Sequence, residues 1–289
     1  MKKNCNMMLF TAVFILFSLA SAMADDPVTW PVFSYPPVFI MENGKTPSGV
    51  GIDVINVIKS KLPEYEHKIK EVPISRVFRS LQDGYHYCAY GVLKTPEREA
   101  YMYYSLPCRI TTPCFVVVRK EDVEKFGGGK KISLRELLEN NNLKLLIKKD
   151  VIYNKEINSV IDGYAGQKHV YVLPSDELGK KEVQLLAAKR IDYTISVVST
   201  AYEAKQMGLI DKISFLPFED TYNHYDVGYI ACPKNEWGRQ MTDKINKILK
   251  EEIPKPQFFD LFKPLVTENM IPELRNQYEK LIMNSEPAK

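Results

Sequence analysis

The sequence predicts an α/β protein built from two units of like plan. Three observations carry that prediction. Apolar runs of strand length alternate with segments of helical spacing, in the order strand, helix, strand, helix, strand. A second set of the same kind follows. Between the sets the apolar run CFVVVRK passes at once into the charged, glycine-rich EDVEKFGGGKKIS, a composition shift read as the edge of a domain.

The N-terminal residues stand apart from the fold. Two lysines in MKKNCNMM precede the apolar run LFTAVFILFSLA, and SAMA then places small residues at Ala22 and Ala24. This is the pattern of a secretory signal spanning 1–24, with the cut expected after Ala24. Cys5 lies before the apolar run and not at its end, so it does not read as a lipid attachment site. No later stretch approaches the roughly 20 apolar residues that a membrane span needs. The expectation is a soluble protein exported to the periplasm, with residues 25–289 long enough for two domains. Loss of Lys2 and Lys3 takes the formal net charge from +3 to +1, which gives no case for nucleic acid. Lys148-Lys149 and Lys180-Lys181 read as solvated faces.

The elements follow in order. VTWPVFSYPPVF is a strand entering a proline-stiffened turn, and MENGKTPSG is turn chemistry. GIDVINVIKSKL carries Ile52, Val54, Ile55, Val57, Ile58 and Leu62 at helical spacing. HKIKEVP is a short strand, ISRVFRSLQDG a helix ending at Gly84, and HYCAYGVL a strand. His86, Cys88 and Tyr90 alternate along it and read as sheet packing; Trp30 and Phe33 also read as packing. In TPERE, Thr95 is the N-cap and Pro96 the first helical residue. That sets Arg98 in the first turn, against the helix dipole by about 0.3–1 kcal/mol. The position calls for a compensating anion, and neither Glu97 nor Glu99 stands three or four residues away, where helical side chains meet.

In the second set LRELLENN, EINSVIDGYAG, DELGKKEVQLLAAKR and STAYEAKQMGL are helices, the last capped by Ser199 or Thr200. LKLLIKK, HVYVLP, IDYTISVV and ISFLPF are strands, with Asp192 read as bracing a neighbouring turn. YDVGYIACPKN is a further strand and EWGRQMTDKINKILKEE a long helix. FFDLFKPLV and IPELRNQYEKLI are helical and are expected to pack back on the first unit.

Cys88, Cys108, Cys114 and Cys232 remain after the signal, permitting two bridges in any of three pairings. They lack CxxC spacing, and no metal or cofactor is implied. GGGK at 127–130 lacks the spacing of a phosphate loop and reads as a loop. There is no GxSxG, no HExxH and no Cys-His pair of persuasive spacing, and His67, His86, His169 and His224 are scattered. The reading is a binder and not an enzyme.

SYPPVFIMENGKTPSGVGIDVINVI, RVFRSLQDG, YGVLKTPEREAYMYYSLPC and LLAAKRIDYTISVVSTAYEA occur in an order that resembles the bacterial extracellular solute-binding proteins of family 3. That resemblance implies the type 2 periplasmic binding fold of amino-acid importers: two lobes, each a sheet flanked by helices, with the ligand in the cleft between them. It divides the chain into a first part of lobe 1 at 25–117, lobe 2 at 118–222, and a return to lobe 1 with C-terminal helices at 223–289, around which hinge closure is expected. Tyr225 and Tyr222 fall near the return crossing. The carboxylate-binding arginine corresponds to Arg98 and the residue whose backbone faces the same group to Gly91. Tyr35 is the aromatic over the ligand, and Ile74 falls near the position on its other side, two residues before Arg76.

The chain departs from the family at Leu93, where many members have Ser or Thr. It departs again at Val197, beside Ser196, where many amino-acid binders have the aspartate that receives the ammonium. A third departure is Lys148-Lys149-Asp150, where a lobe 2 loop usually offers Gly and Thr. An ammonium leaving water needs a paired charge or several acceptors. Arg98 still offers a planar fork, and Arg76 and Lys149 add positive field. The expected ligand is a small carboxylate-bearing or anionic solute. The expected partner of this monomer is the permease of an ABC-type importer or, alternatively, a membrane sensor; a dehydratase or lyase on the same fold is the remote alternative.

Overall fold

The computed structural model describes residues 27–285 except 43, 150, 175–178, 197, 220–223 and 267. The signal segment, Val197 and Tyr222 therefore lie outside the described residues. The first run of elements is β1 (Val28–Val32), α1 (Val50–Ser60), β2 (His67–Glu71), α2 (Ile74–Gln82), β3 (Ala89–Val92), α3 (Pro96–Glu99) and β4 (Met102–Thr111). Next come β5 (Phe115–Arg119), α4 (Leu134–Glu139), β6 (Leu145–Lys148), α5 (Lys155–Asp162), β7 (Val170–Leu173), α6 (Lys180–Ala187), β8 (Tyr193–Ile195), α7 (Val198–Gln206) and β9 (Ile213–Pro217). The chain ends through β10 (Asp226–Pro233), α8 (Glu236–Glu252), α9 (Pro256–Asp260) and α10 (Ile271–Tyr278).

Sheet pairing sorts these elements into two lobes. β1 and β2 pair in parallel, and Thr29 bridges Tyr87 just ahead of β3, which continues into the sheet β3-β10-β4. Read through that bridge, the strand order is β2-β1-β3-β10-β4. The other sheet runs β7-β6-β8-β5-β9. In both, the strand lying fourth is antiparallel to its neighbours, so the lobes share one plan.

β5 lies inside the second sheet, between β8 and β9. The change of sheet therefore occurs between Thr111 and Phe115, and the expected boundary at 117/118 falls within a strand. The charged passage after β5 is not a domain edge either. Residues Lys120–Phe126 form a 3-10 helix whose Phe126 packs edge-on against Tyr193, with ring centroids 5.7 Å apart. Arg119 ties this passage into the lobe through Asp122 (2.5 Å), Asp192 (3.1 Å) and the carbonyls of Leu186 and Ile191. Asp192 also accepts from the Lys144 backbone N–H, the bracing role expected of it.

The first core joins Trp30, Val32, Ile55 and Ile58 to Ile230, Met241, Phe259, Phe262 and Tyr278. The C-terminal helices thus pack on the first lobe. The Tyr278 hydroxyl donates to the Ile253 carbonyl at 2.8 Å, which satisfies it in an apolar surround. Val116, Val118, Leu134, Tyr193 and Phe218 centre the second core.

α7 begins one residue before the expected cap. Ser199 and Thr200 lie buried in its first turn and do not cap it. The reason is packing: a Cβ at Gly179 would stand 2.6 Å from the Ser199 carbonyl carbon, so α6 and α7 meet backbone to backbone there. Cys88 and Cys232 form a disulfide, while Cys108 and Cys114 are buried free thiols.

Candidate functional site

Two bulges shape the lobe 1 wall. In β3, Val92 faces Tyr229 and Tyr90 faces the next residue, Ile230, so Gly91 is the extra residue. Its φ of +81° is one that side-chain-bearing residues rarely take. In β4, Pro107 faces Tyr229 and Arg109 faces Gly228, so a residue is again in excess. Cys108 turns into the core and Arg109 turns toward the gap between the lobes. A Cβ at Gly91 would lie 2.9 Å from Arg109 Nη1, so glycine also gives the guanidinium its room.

Arg109 is 8% exposed. It donates from Nη1 to the Gly91 carbonyl at 3.2 Å and from Nη2 to the Tyr35 hydroxyl at 3.1 Å. Its Nε has no partner. Two cavities flank it, of about 100 Å³ and about 60 Å³, and Tyr35, Leu93, Arg109 and Ile152 line both. The larger is otherwise walled mainly by aromatic and aliphatic side chains of lobe 1, among them Phe33, Phe39, Phe78 and Val92. The smaller adds Thr111, Thr112, Tyr153 and Ser196.

Lobe 2 closes the gap with residues 151–153. The Tyr153 hydroxyl accepts from the Lys148 N–H at 3.0 Å, and Asn158 Oδ1 accepts from the Tyr153 N–H at 2.8 Å. Asn154 caps α5 by accepting from the Ile157 N–H at 2.7 Å. These bonds hold Val151 and Ile152 against the larger cavity.

Arg98 lines the larger cavity. Thr95 caps α3 as the sequence indicates, its Oγ1 accepting from the Arg98 N–H at 3.2 Å. The Arg98 guanidinium stacks 4.0 Å over the Phe78 ring and donates to the Leu93 carbonyl at 3.3 Å. Among the described residues, neither cavity is lined by an Asp or Glu.

The sequence profile of the bacterial extracellular solute-binding proteins, family 3, matches residues 32–264. The chain belongs to this family. Among solved structures, the arginine-, lysine-, histidine-binding protein ArtJ from the thermophilic bacterium Geobacillus stearothermophilus is 17% identical, with a TM-score of 0.64 over 86% of this chain and 99% of that one. A structure reported for glutathione import via GshT and the cystine ABC importer TcyBC of Streptococcus mutans is 17% identical, with a TM-score of 0.64 over 83% and 93%. A histidine kinase sensor domain with similarity to periplasmic binding proteins is 14% identical, with a TM-score of 0.61 over 90% and 97%. At such identities the likeness shows the fold. No curated protein matches the sequence.

In this family 3 solute-binding protein the expected site residues divide. Arg98, Gly91, Tyr35, Ile74 and Leu93 border the larger cavity and Ser196 the smaller. The Ser196 hydroxyl accepts from the Phe115 N–H at 2.8 Å, joining β8 to the crossing. Arg76 is exposed on α2 and borders neither cavity; Lys149 is likewise exposed, and its N–H is spent on the Leu173 carbonyl. The helical face of α2 that reaches the gap is Ile74, Val77 and Phe78, which turns Arg76 outward. Phe33, read as packing, is part of the cavity wall and stacks on Tyr35. Arg109 is absent from the sequence reading. Its signal was a lone charge inside the otherwise uncharged strand MYYSLPCRIT.

Cys114 borders the smaller cavity and its thiol donates to the Tyr153 carbonyl at 3.5 Å. Burial pushes both Cys108 and Cys114 up to about 12, so neither is a thiolate at neutral pH. A thiol reagent at pH 8 should therefore label no cysteine among residues 27–285 of the folded protein. Unfolding without reductant should expose two thiols, and labelling in the native state would contradict the burial.

Proposed function

We propose that this protein captures a small carboxylate-bearing or anionic solute between its lobes and delivers it to an ABC-type importer. The observation that carries the reading is the pairing of Arg98 and Arg109 at one largely apolar cavity without a lining carboxylate among the described residues. Guanidinium forks match carboxylates in shape and charge, whereas an ammonium here would meet no lining carboxylate among the described residues. Extracellular membership of the family supports export through the 1–24 segment to the periplasm, and the reading is of a binder, not an enzyme, acting as a monomer.

The likeness to a histidine kinase sensor domain supports a second reading, in which the same cleft reports the solute to a membrane receptor. A permease and an ATPase encoded beside the gene would favour import over sensing.

The test is to unfold the purified protein, identify released solutes by mass spectrometry, and measure thermal shifts with candidates. A true ligand raises the midpoint by mass action. Arg98→Ala should weaken binding by about 1.5–3 kcal/mol, the range of a hydrogen bond to a charged group. Equal stabilisation of both proteins would remove Arg98 from the site.

A further inference from the structure

Two arginines in this fold are equally buried and are treated in opposite ways. Arg119, 7% exposed, is held by the carboxylates of Asp122 and Asp192 and by two backbone carbonyls. That is how a structural guanidinium is satisfied, its charge cancelled within the lobe. Arg109, 8% exposed, bonds only to a peptide carbonyl and a tyrosine hydroxyl. No carboxylate of the described residues pairs with it, and its Nε is unpartnered. A cation withdrawn from water with neutral acceptors alone is costly. The strand bulge directs that cation between the two cavities.

We infer that Arg109 is a specificity-determining residue that receives a second acidic group of the solute. The inference rests on the anionic-solute reading and narrows it to a dicarboxylate without an ammonium group. Arg98 holds one carboxylate and Arg109 the other. Leu93 and the aromatic side chains that line the same cavity accommodate an apolar carbon skeleton. With the Gly91 carbonyl and Tyr35 hydroxyl already accepting from Arg109, an ammonium is left with fewer acceptors in this wall. A matching amino acid is disfavoured because its positive group would also sit beside a guanidinium.

Calorimetric titration of the full protein with matched triads tests this: succinate, butyrate and aspartate; glutarate, valerate and glutamate; adipate, hexanoate and 2-aminoadipate. At least one dicarboxylate should bind about tenfold or more tighter than its monocarboxylate and amino partners, the factor one charge-assisted contact supplies. Arg109→Met should abolish that preference, weakening the dicarboxylate by about tenfold or more and the monocarboxylate by less, and Arg109→Lys should keep part of it. Because no ion pair is lost, the ligand-free Arg109→Met protein should melt within a few degrees of the parent or above it.

Equal affinity for mono- and dicarboxylates, or an undiminished preference in Arg109→Met, overturns the inference while carboxylate binding that depends on Arg98 leaves the broader reading standing. An Arg109→Met protein that does not fold also overturns it, since the charge would then belong to the architecture. Tightest binding by an amino acid, or no binding by any of the acids, overturns both readings.

Discussion

Replacing Cys88 and Cys232 by alanine is expected to lower the unfolding free energy by about 2–5 kcal/mol. The bridge follows from register. Ala231 of β10 faces Ala89 of β3, so the next pair outward sets Cys232 opposite Cys88, with Cα atoms 4.6 Å apart. The residues are 144 apart in sequence, and the loop they close contains the entire second lobe. Closing so long a loop removes much freedom from the unfolded chain. Trp30 and Trp237 both pack in the first lobe, so their fluorescence during urea unfolding reads the effect directly. A midpoint equal to that of the parent protein would mean that the bridge contributes nothing.

Lys148→Met is expected to cost about 3–5 kcal/mol at neutral pH. Lys148 at the end of β6 and Glu182 in the first turn of α6 are 3% and 4% exposed, with Nζ and Oε2 3.7 Å apart. Burial raises the Glu182 carboxyl above its ordinary value, and the lysine opposes that rise. Without the lysine the carboxyl moves further up. A carboxyl whose folded value is raised contributes its stability below the unfolded value and loses it as pH climbs through the folded one. The variant should therefore be closest to the parent near pH 4 and fall behind it toward pH 8. Lys148→Met combined with Glu182→Leu should recover most of the loss, since an apolar pair replaces a charged one of similar volume. Chemical denaturation at several pH values measures both; a pH-independent penalty would show that Glu182 is not the group left exposed to the loss.

Much of the fold was legible because local chemistry and tertiary structure agree. The Thr95-Pro96 cap, the apolar stripe of α1 and the alternation of strands with helices all survive packing. The candidate site was legible only in part. Arg98 follows from a local motif read with the family resemblance, and Gly91 and Leu93 from that resemblance alone. Arg109 does not, because a residue's facing along a strand is inferred from a period of two, and the bulges in β4 break that period. Arg76 and Lys149 failed for the complementary reason: a positive residue near the right place in sequence was turned outward by its element. The disulfide pairing was undetermined because it depends on β10 lying beside β3, a contact made by residues far apart in the chain. The boundary at 117/118 missed because an apolar run does not tell which sheet it enters.

The C-terminal helices make the first lobe depend on both ends of the chain. Phe258, Phe259, Phe262, Leu274, Tyr278 and Ile282 complete an interior begun by Val28 and Trp30, while the strands of the second sheet all come from one uninterrupted stretch. Along the chain the second sheet has all its strands by Pro217, whereas the first needs β10 and the helices that follow it. A chain cut before Phe258 would thus keep every strand of both sheets while its first interior lost the aromatic residues that close it.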